Sequence, residues 1–283
     1  MFLISNPSTC SFRPALETLT DLLFELSNDD RLKILLDLEK GSRNLTKIAK
    51  DLDFTAQGTS RNVERLVQIS MIMRNSEGDY VLTSFGENAL RLLVGYEFLA
   101  NEKDYILNHS TRYLPQSFVS RFGELRKNEH VTEILDAVSN IARARRAATE
   151  YDWYITPGRM SSPRGASDVV DELKRGVKIR AIEPKHYVPS EKVMSETPRE
   201  VLDFFEESWR KGNLQHRYLD EVRVRMYLTE GEVSLLALPK RDGEMDVVGY
   251  QSKDPAFHDW CRDLFEFYWM RAKQETWFWT HGR

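Results

Sequence analysis

The chain of 283 residues is 41% hydrophobic and 30% charged, a composition that excludes disordered and fibrous proteins. Its net charge of -4 excludes a uniformly basic nucleic-acid coat, although a total can hide a local excess of positive charge. No apolar run approaches the roughly 20 residues that cross a bilayer, and residues 1–4 lack the basic start of a signal peptide. The two cysteines, Cys10 and Cys261, lie far apart, which favours a reducing compartment. We therefore expect a cytoplasmic protein with no membrane partner.

The first 98 residues are predicted to contain short helices and one hairpin. Residues 1–20 have few periodic apolar positions and are expected to form a loose N-terminal arm. Three helices, a hairpin and a fourth helix follow, and this is the order of a winged helix-turn-helix, so we predict a DNA-binding domain at 21–98. The predicted elements are helices at about 27–39, 44–52, 55–68 and 86–99, and strands at 71–74 and 80–83.

The third of these helices has the polarity of a helix that reads DNA. At 100° per residue, one side carries Ala56, Thr59, Val63, Leu66 and Val67. The opposite side carries arginine, asparagine and glutamine, the residue types that bond to the edges of guanine and adenine. A glycine there would also permit a close approach of the backbone to the duplex. These outward residues are Gln57, Gly58, Arg61, Asn62 and Arg65.

Local charge agrees with this interpretation. Residues 40–75 carry seven basic and three acidic side chains, although the whole chain is acidic, and such a patch attracts phosphates. The alternative is that the arginines only keep one helix face hydrated. We predict that Gln57, Arg61, Asn62 and Arg65 enter the major groove, that Lys47, Lys50 and Thr55 contact phosphates, and that Arg74, Asn75 and Ser76 approach the backbone or minor groove. The complete predicted DNA-binding set adds Gly58 and Ser60.

Two stretches of this region carry a family resemblance. The segment 44–52 (NLTKIAKDL), followed by 59–66 (TSRNVERL), resembles the paired helices of ArsR/MarR-type bacterial and archaeal regulators. The segment 80–83 (YVLT), running into Phe85 and Gly86, is similar to the second wing strand and the following helix of those regulators. Ser70 departs from the family, which commonly has glycine before the wing. The resemblance covers about residues 25–98 and implies binding to double-stranded DNA.

The segment 99–150 is predicted to be a helical linker. Winged-helix regulators usually dimerise, so that two reading helices meet half-sites one DNA turn apart. An apolar stripe in the linker is therefore either the interface of a homodimer or the packing of the C-terminal domain on the linker, and both alternatives stay open. The stripe consists of Val131, Ile134, Leu135, Val138, Ile141 and Ala142.

Residues 151–283 are predicted to form an α/β effector or sensor domain, which makes the whole chain α+β. Turn signals at 230–231 and 242–243 join its last three strands into antiparallel hairpins. The predicted strands are at 153–156, 177–183, 222–229, 233–238 and 245–250, with helices at 168–176 and from Asp254 onward.

This half contains no P-loop, HExxH or GxSxG motif, and its histidines lack metal-ligand spacing. We therefore predict no catalytic residues, metal or cofactor, and no enzymatic activity. Aromatic walls with a few polar groups would form a pocket for a small-molecule effector. The alternative is core packing for the aromatic residues and surface ion pairs for the arginines. The candidate ligand-binding residues are Trp153, Tyr154, Arg180, His186, Arg225 and Tyr227.

Three segments of this half resemble the effector domain of archaeal TrmB-like regulators and of the related methanogenesis-type regulators. They are 177–183 (VKIRAIE), 235–239 (LLALP) and 264–269 (LFEFYW). The resemblance implies a phospholipase-D-like fold that has lost catalysis and senses a ligand. Active phospholipase-D enzymes need an HxKxxxxD motif, whereas this chain has Lys185-His186-Tyr187 and no HxK.

The sequence thus predicts an archaeal transcription regulator that binds DNA as a homodimer. Its C-terminal domain would modulate DNA binding through a ligand or a rearrangement of the dimer. Two alternatives remain. The winged helix could be a protein-interaction module of the transcription machinery. Alternatively, the second half could be an enzyme with an unrecognised C-terminal site, which the winged helix brings to nucleic acid.

Overall fold

A computed structural model describes residues 16–157, 165–185 and 197–274. The chain is mixed α+β and divides into two compact units, Met1–Leu93 and Val94–Arg283. In the described residues, helices and a small hairpin make up the first unit, and a larger sheet forms the second.

The first unit follows the predicted order of elements. Its core contains Ile34, Leu35, Ile48, Leu66 and Met71, all of which are fully buried. The elements are α1 (Leu16–Leu26), α2 (Asp29–Leu38), α3 (Leu45–Asp51), α4 (Ala56–Gln68), β1 (Ile72–Arg74), β2 (Tyr80–Leu82) and the first part of α5 (Ser84–Asn101), a helix that continues into the second unit.

Helix α1 corrects the prediction of a loose arm over residues 1–20, because the helix begins at Leu16. Its leucines at 19, 22, 23 and 26 have helical spacing, and Leu26 is buried in the core of the first unit. The rest of the predicted arm, residues 1–15, lies outside the described residues.

Side-chain caps begin three of the helices. The side-chain oxygen of Asn28 accepts a hydrogen bond from the Arg31 amide, and that of Asn44 accepts one from the Lys47 amide. The hydroxyl of Thr55 accepts one from the Gly58 amide at 3.1 Å. Each cap satisfies an amide that has no partner within its helix, which is why these local sequence signals place the helix starts correctly.

Two residues beyond the end of helix α4 stands a residue with left-handed backbone, Ser70, whose φ is 60°. The Ser70 amide donates to the Val67 carbonyl and the Met71 amide to the Leu66 carbonyl, which is the bond pattern of a Schellman motif. Glycine usually occupies this position because a Cβ is strained there. The bend before the hairpin therefore forms with serine in place of glycine.

Strands β1 and β2 pair in antiparallel register, with Ile72 opposite Leu82 and Arg74 opposite Tyr80. The side chain of Asn75 closes the turn between them, since its Oδ1 accepts hydrogen bonds from the amides of residues 77 and 79. The antiparallel pairing confirms the predicted hairpin.

In the described part of the second unit, seven strands form one sheet. Its order is β3-β9-β8-β7-β4-β5-β6. Strands β4, β5 and β6 are parallel, and the other neighbouring pairs are antiparallel. The bounds are β3 (Glu129–Val131), β4 (Tyr151–Ile155), β5 (Lys178–Pro184), β6 (Leu214–Leu219), β7 (Arg225–Thr229), β8 (Glu232–Ala237) and β9 (Gly249–Ser252).

Helices cover both faces of this sheet. One face carries an aromatic core that includes Trp260 and Phe265, and the other carries a core that includes Ala137 and Phe205. The helices are α6 (Lys103–Asn108), α7 (Gln116–Val119), α8 (Ile134–Ala147), α9 (Gly165–Lys174), α10 (Arg199–Arg210) and α11 (Pro255–Trp269), with a 3-10 turn at Phe122–Leu125.

The segment predicted as a linker, 99–150, belongs to the second unit. Phe118 is buried there with its ring centroid 5.5 Å from that of Trp260, and Tyr105 and Leu125 lie in the same core. Strand β3 also comes from this segment and pairs with β9. The expected boundary near 150 therefore differs from the observed division after Leu93. Helical periodicity alone could not reveal that these helices pack on a sheet formed mostly by later residues.

The apolar stripe of residues 131–142 divides in two. Val131 and Ile141 are buried in the core on one face of the sheet, and Val138 and Ala142 are half-buried. Ile134 and Leu135 are exposed, Leu135 by 80%. The buried part packs within the second unit, and a homodimer interface remains a prediction for the exposed part.

Several other elements differ in their bounds from the sequence prediction. The pairing of β7, β8 and β9 confirms the antiparallel hairpins, but β9 begins at Gly249 rather than at residue 245. Strand β6 and helix α10 were not predicted. The predicted helix at 168–176 corresponds to α9, Gly165–Lys174.

Candidate nucleic-acid interface

Helix α4 has one buried side and one side that carries long polar side chains. Thr59, Val63 and Leu66 are buried, and the Thr59 hydroxyl donates to the Thr55 carbonyl at 2.9 Å. Exposed side chains stand four residues apart along the opposite side, so each is about 6 Å further along the helix axis than the last. We call these residues, Gln57, Arg61 and Arg65, the outer row of α4.

The remaining predicted residues of this helix lie beside the outer row. Asn62 is half-buried, and the hydroxyl of Ser60 donates to the Glu64 carboxylate at 3.1 Å. Gly58 has a local role, because a Cβ there would lie 2.9 Å from the Thr55 hydroxyl that caps the helix. The glycine therefore makes room for the cap, a reason that differs from the predicted close approach to DNA.

Arg65 is held from the side by a carboxylate that sequence reasoning missed. Its Nε donates to Oε1 of Glu25 at 2.7 Å, and its Nη2 lies 2.6 Å from the same oxygen. The second oxygen of Glu25 lies 3.0 Å from Nε of Arg31. Glu25 is on α1, 40 residues away in sequence, so no local pattern could have linked it to Arg65.

A cleft of about 570 Å³ opens beside the outer row, between the α1–α2 turn and α4. It is polar on most sides, with Glu25 and Arg65 among its lining residues. Its other lining residues include Phe24, Asn28, Arg31, Arg61, Asn62 and Gln68.

The predicted phosphate and wing contacts occupy different positions. Lys47 and Lys50 are exposed on α3. Arg74 is held against the hairpin, because its Nη2 donates to the Tyr80 hydroxyl at 3.0 Å and its guanidinium lies 5.0 Å from the centre of that ring. Asn75 forms the turn described above, and Ser76 is exposed beside it.

The ligand candidates of the second unit lie on opposite faces of the sheet. Trp153 stacks on Phe265 of α11, with ring centroids 4.9 Å apart. The guanidinium of Arg180 lies over Trp153 at 4.8 Å and bonds to the Glu266 carboxylate at 2.8 Å. These contacts correspond to the core-packing and ion-pair alternatives for Trp153 and Arg180.

On the other face, Tyr154 stacks on Tyr227 with ring centroids 5.6 Å apart. Arg225 is two residues from Tyr227 on the same strand and is buried. Trp153 and Tyr154 are neighbours on strand β4, and neighbouring residues of a strand point to opposite faces of the sheet. The described candidates are therefore divided between the two faces and do not line one pocket. His186 lies outside the described residues.

Beneath the stacked tyrosines lies a buried cluster of three ionisable groups. Nε of Arg145 is 2.9 Å from Oδ2 of Asp152, and the Arg145 guanidinium lies over both tyrosine rings. Glu172 is buried beside them, and no described residue donates a hydrogen bond to either of its carboxylate oxygens. One cation therefore faces two carboxyl groups in a desolvated site.

Burial dominates the ionisation of this cluster. It raises the pKa of Glu172 to about 8, and the nearby Asp152 carboxylate acts in the same direction. Burial also raises the pKa of Asp152, against the lowering effect of Arg145. Burial alone would lower the pKa of Arg145, but the Asp152 carboxylate beside it raises it. The cluster thus favours a charged Arg145 and a protonated Glu172 near neutral pH.

The described residues contain no group of three or more His, Cys, Asp or Glu side chains that could hold a metal ion. Two buried histidines each contact a carboxylate, His109 with Asp246 at 3.0 Å and His216 with Glu183 at 2.6 Å. Across the described helices, none is both long and apolar enough to cross a membrane.

Comparisons with known proteins give only remote structural likenesses. No family model and no curated protein matches the chain. Among solved structures, TrmBL2, an archaeal chromatin protein that shows a novel mode of DNA binding, is 16% identical and has a TM-score of 0.40. The match covers 92% of this chain and 98% of TrmBL2.

Two other solved structures are less similar. Nuc from Salmonella typhimurium, a phospholipase D family member, is 10% identical with a TM-score of 0.33, and the match covers 48% of this chain and 89% of Nuc. IdeR from T. acidophilum is 17% identical with a TM-score of 0.22, and the match covers 82% of this chain and 95% of IdeR. Each of these TM-scores is below 0.5.

Proposed function

We propose that the chain is a DNA-binding transcription regulator without catalytic activity. In this proposal the first unit is a winged helix-turn-helix: α3 and α4 are its paired helices, and the β1–β2 hairpin is its wing. Helix α4 enters the major groove of duplex DNA, Lys47 and Lys50 contact phosphates, and the hairpin approaches the backbone or the minor groove.

The outer row of α4 is the observation that carries the proposal. Val63 and Leu66 fix the helix to the core on one side, and Gln57 and Arg61 are exposed on the other. The side chains of glutamine and arginine form paired hydrogen bonds with adenine and guanine respectively. A helix that is fixed on one side and presents these groups on the other can place them reproducibly against base edges.

The positive side chains around this helix support the same proposal. Lys47, Lys50 and Arg61 are exposed on α3 and α4. Exposed lysines attract phosphates through charge, and this attraction is independent of sequence and weakens as salt rises. The surface thus combines groups suited to base readout with groups suited to backbone contact.

Selection from a pool of random duplex DNA, repeated at several salt concentrations, tests this function. We expect the full chain to enrich a defined sequence and to bind it with an affinity that falls steeply as salt rises. A pool that stays random, with weak binding even at low salt, would contradict DNA reading and favour the protein-interaction alternative.

We further propose that the second unit modulates DNA binding, through a ligand or through rearrangement of a homodimer. The second unit has a core and a sheet of its own, which supports a separate regulatory domain.

Sedimentation equilibrium of the full chain with the selected duplex gives the number of chains bound. Two chains on a pseudo-palindromic site would agree with the homodimer, and one chain per duplex would contradict it.

A further inference from the structure

The contact between Glu25 and Arg65 leaves one edge of the guanidinium available. A guanidinium carries five N–H donors in a rigid plane. Glu25 occupies the edge formed by Nε and Nη2. The edge formed by Nη1 and Nη2 has no carboxylate partner among the described residues, and we call it the free edge. Its one described contact is a long hydrogen bond from Nη1 to the exposed Gln68 at 3.3 Å, and the Arg65 side chain is 48% exposed.

Burial of the carboxylate makes this orientation firm. The Glu25 side chain is 1% exposed, and it contacts Arg31 as well as Arg65. Arg31 is itself fixed, because its Nε donates to the Glu25 carbonyl at 3.0 Å. The carboxylate therefore cannot follow a moving arginine, and Arg65 loses less rotamer freedom when its free edge meets a partner.

Charge around Arg65 distinguishes between two kinds of DNA contact. Glu25 offsets much of its positive charge, and Asp21 also acts on it electrostatically. A phosphate contact depends on net positive charge. A contact to a base edge depends instead on the direction of the donors, and the free Nη1–Nη2 edge has the spacing of the O6 and N7 acceptors of guanine.

From this geometry we infer that Glu25 is a positioning residue for sequence recognition. It holds Arg65 so that the free guanidinium edge bonds to one guanine in the major groove. This inference rests on the proposed function of α4, and it gives α1 a part in DNA recognition.

Two variants of the full chain test the inference by the same selection from random DNA. Arg65→Lys keeps the charge but removes the planar fork. We expect it to lose preference for guanine at one position, by on the order of tenfold, while the salt dependence stays the same. Glu25→Gln frees Arg65 to move and releases its charge. We expect the preference for guanine at the same position to weaken. The affinity should also fall more steeply with salt, by about the amount that one additional phosphate contact contributes to the slope.

A matched control removes the other contact of the arginine. Gln68→Ala takes away the bond to Nη1 and leaves Glu25 in place, so guanine preference should persist. Thermal unfolding of each variant shows whether it is folded. If Glu25→Gln does not fold, Glu25→Asp takes its place: it keeps the negative charge but shortens the side chain that holds Arg65, so the same position should relax, and an unchanged sequence preference would overturn the positioning role.

The outcomes separate this inference from the proposed function. Selection of the same sequence by the wild-type chain and by Arg65→Lys would overturn the guanine contact, and would leave DNA reading by α4 intact. A folded Glu25→Gln variant with an unchanged sequence preference would overturn the positioning role. Failure of the wild-type chain to select any sequence would overturn both.

Discussion

The carbonyl oxygen of Met71 occupies the space that a side chain at position 86 would need, since a Cβ on Gly86 would lie 2.2 Å from it. The Thr83 hydroxyl bridges the same region: it donates to the Ser70 carbonyl at 2.6 Å and accepts from the Gly86 amide at 3.1 Å. The start of α5 is thereby fitted closely to the start of the hairpin. Glycine at position 86 is a packing requirement.

Replacement of Gly86 by alanine should destabilise the first unit. The added methyl group must displace backbone, which costs about 1–3 kcal/mol and exceeds the gain in helix propensity of about 1 kcal/mol. Urea denaturation followed by circular dichroism measures the change. Gly95→Ala is the matched control on the same helix, because its Cβ would come no closer than 4.0 Å to another residue. Equal stability of the two variants would contradict this packing argument.

Ser70→Gly should stabilise the first unit. Left-handed backbone costs a residue with a Cβ about 1–2 kcal/mol, and glycine avoids this cost but loses about 0.5–1 kcal/mol of chain entropy. We therefore expect a gain of up to about 1 kcal/mol, seen as a higher midpoint of thermal unfolding. Ser70→Ala keeps the strained φ and should give no gain. A gain of the same size with alanine would show that the serine side chain, and not its backbone, is the source.

Glu172 should make the stability of the second unit depend on pH. The pKa of its carboxyl is about 8 in the folded chain and near 4.5 in an unfolded one, so the folded state binds more protons between these values. The free energy of unfolding therefore falls as pH rises from about 5 to 8, by on the order of a few kcal/mol. Glu172→Gln should make that fall shallower and should raise stability at pH 8.

Urea unfolding at a series of pH values measures this effect. Asp171→Asn is the control, because Asp171 is the exposed neighbour of Glu172 on the same helix. It should leave the pH dependence of the wild-type chain unchanged. If Glu172→Gln shows the same slope as the wild-type chain, Glu172 does not hold a proton in the folded state.

The first unit could be predicted closely because its signals are local. Asn28, Asn44 and Thr55 cap helices through amides three residues ahead, and the hairpin turn lies within five residues. The link between Glu25 and Arg65 could not be predicted in this way. It depends on helix α1, whose first five residues the sequence assigns to a loose arm, and on a contact across 40 residues.

The second unit was harder to predict because its sheet is built from distant segments. Strand β3 pairs with β9 across more than a hundred residues, and Phe118 packs on Trp260. One error had a visible signal. Trp153 and Tyr154 are neighbours in a predicted strand, so the alternation of side chains already placed them on opposite faces.

The affinity of Arg61→Ala for the duplex that the wild-type chain selects is the most direct test of DNA reading by α4. We predict binding weaker by about 1–3 kcal/mol, with relaxed preference at one base pair. The control is Arg210→Ala, which removes an exposed arginine from α10 in the second unit. It should bind as the wild-type chain does. Unchanged affinity and sequence preference in Arg61→Ala would contradict the assignment of the outer row as the reading surface.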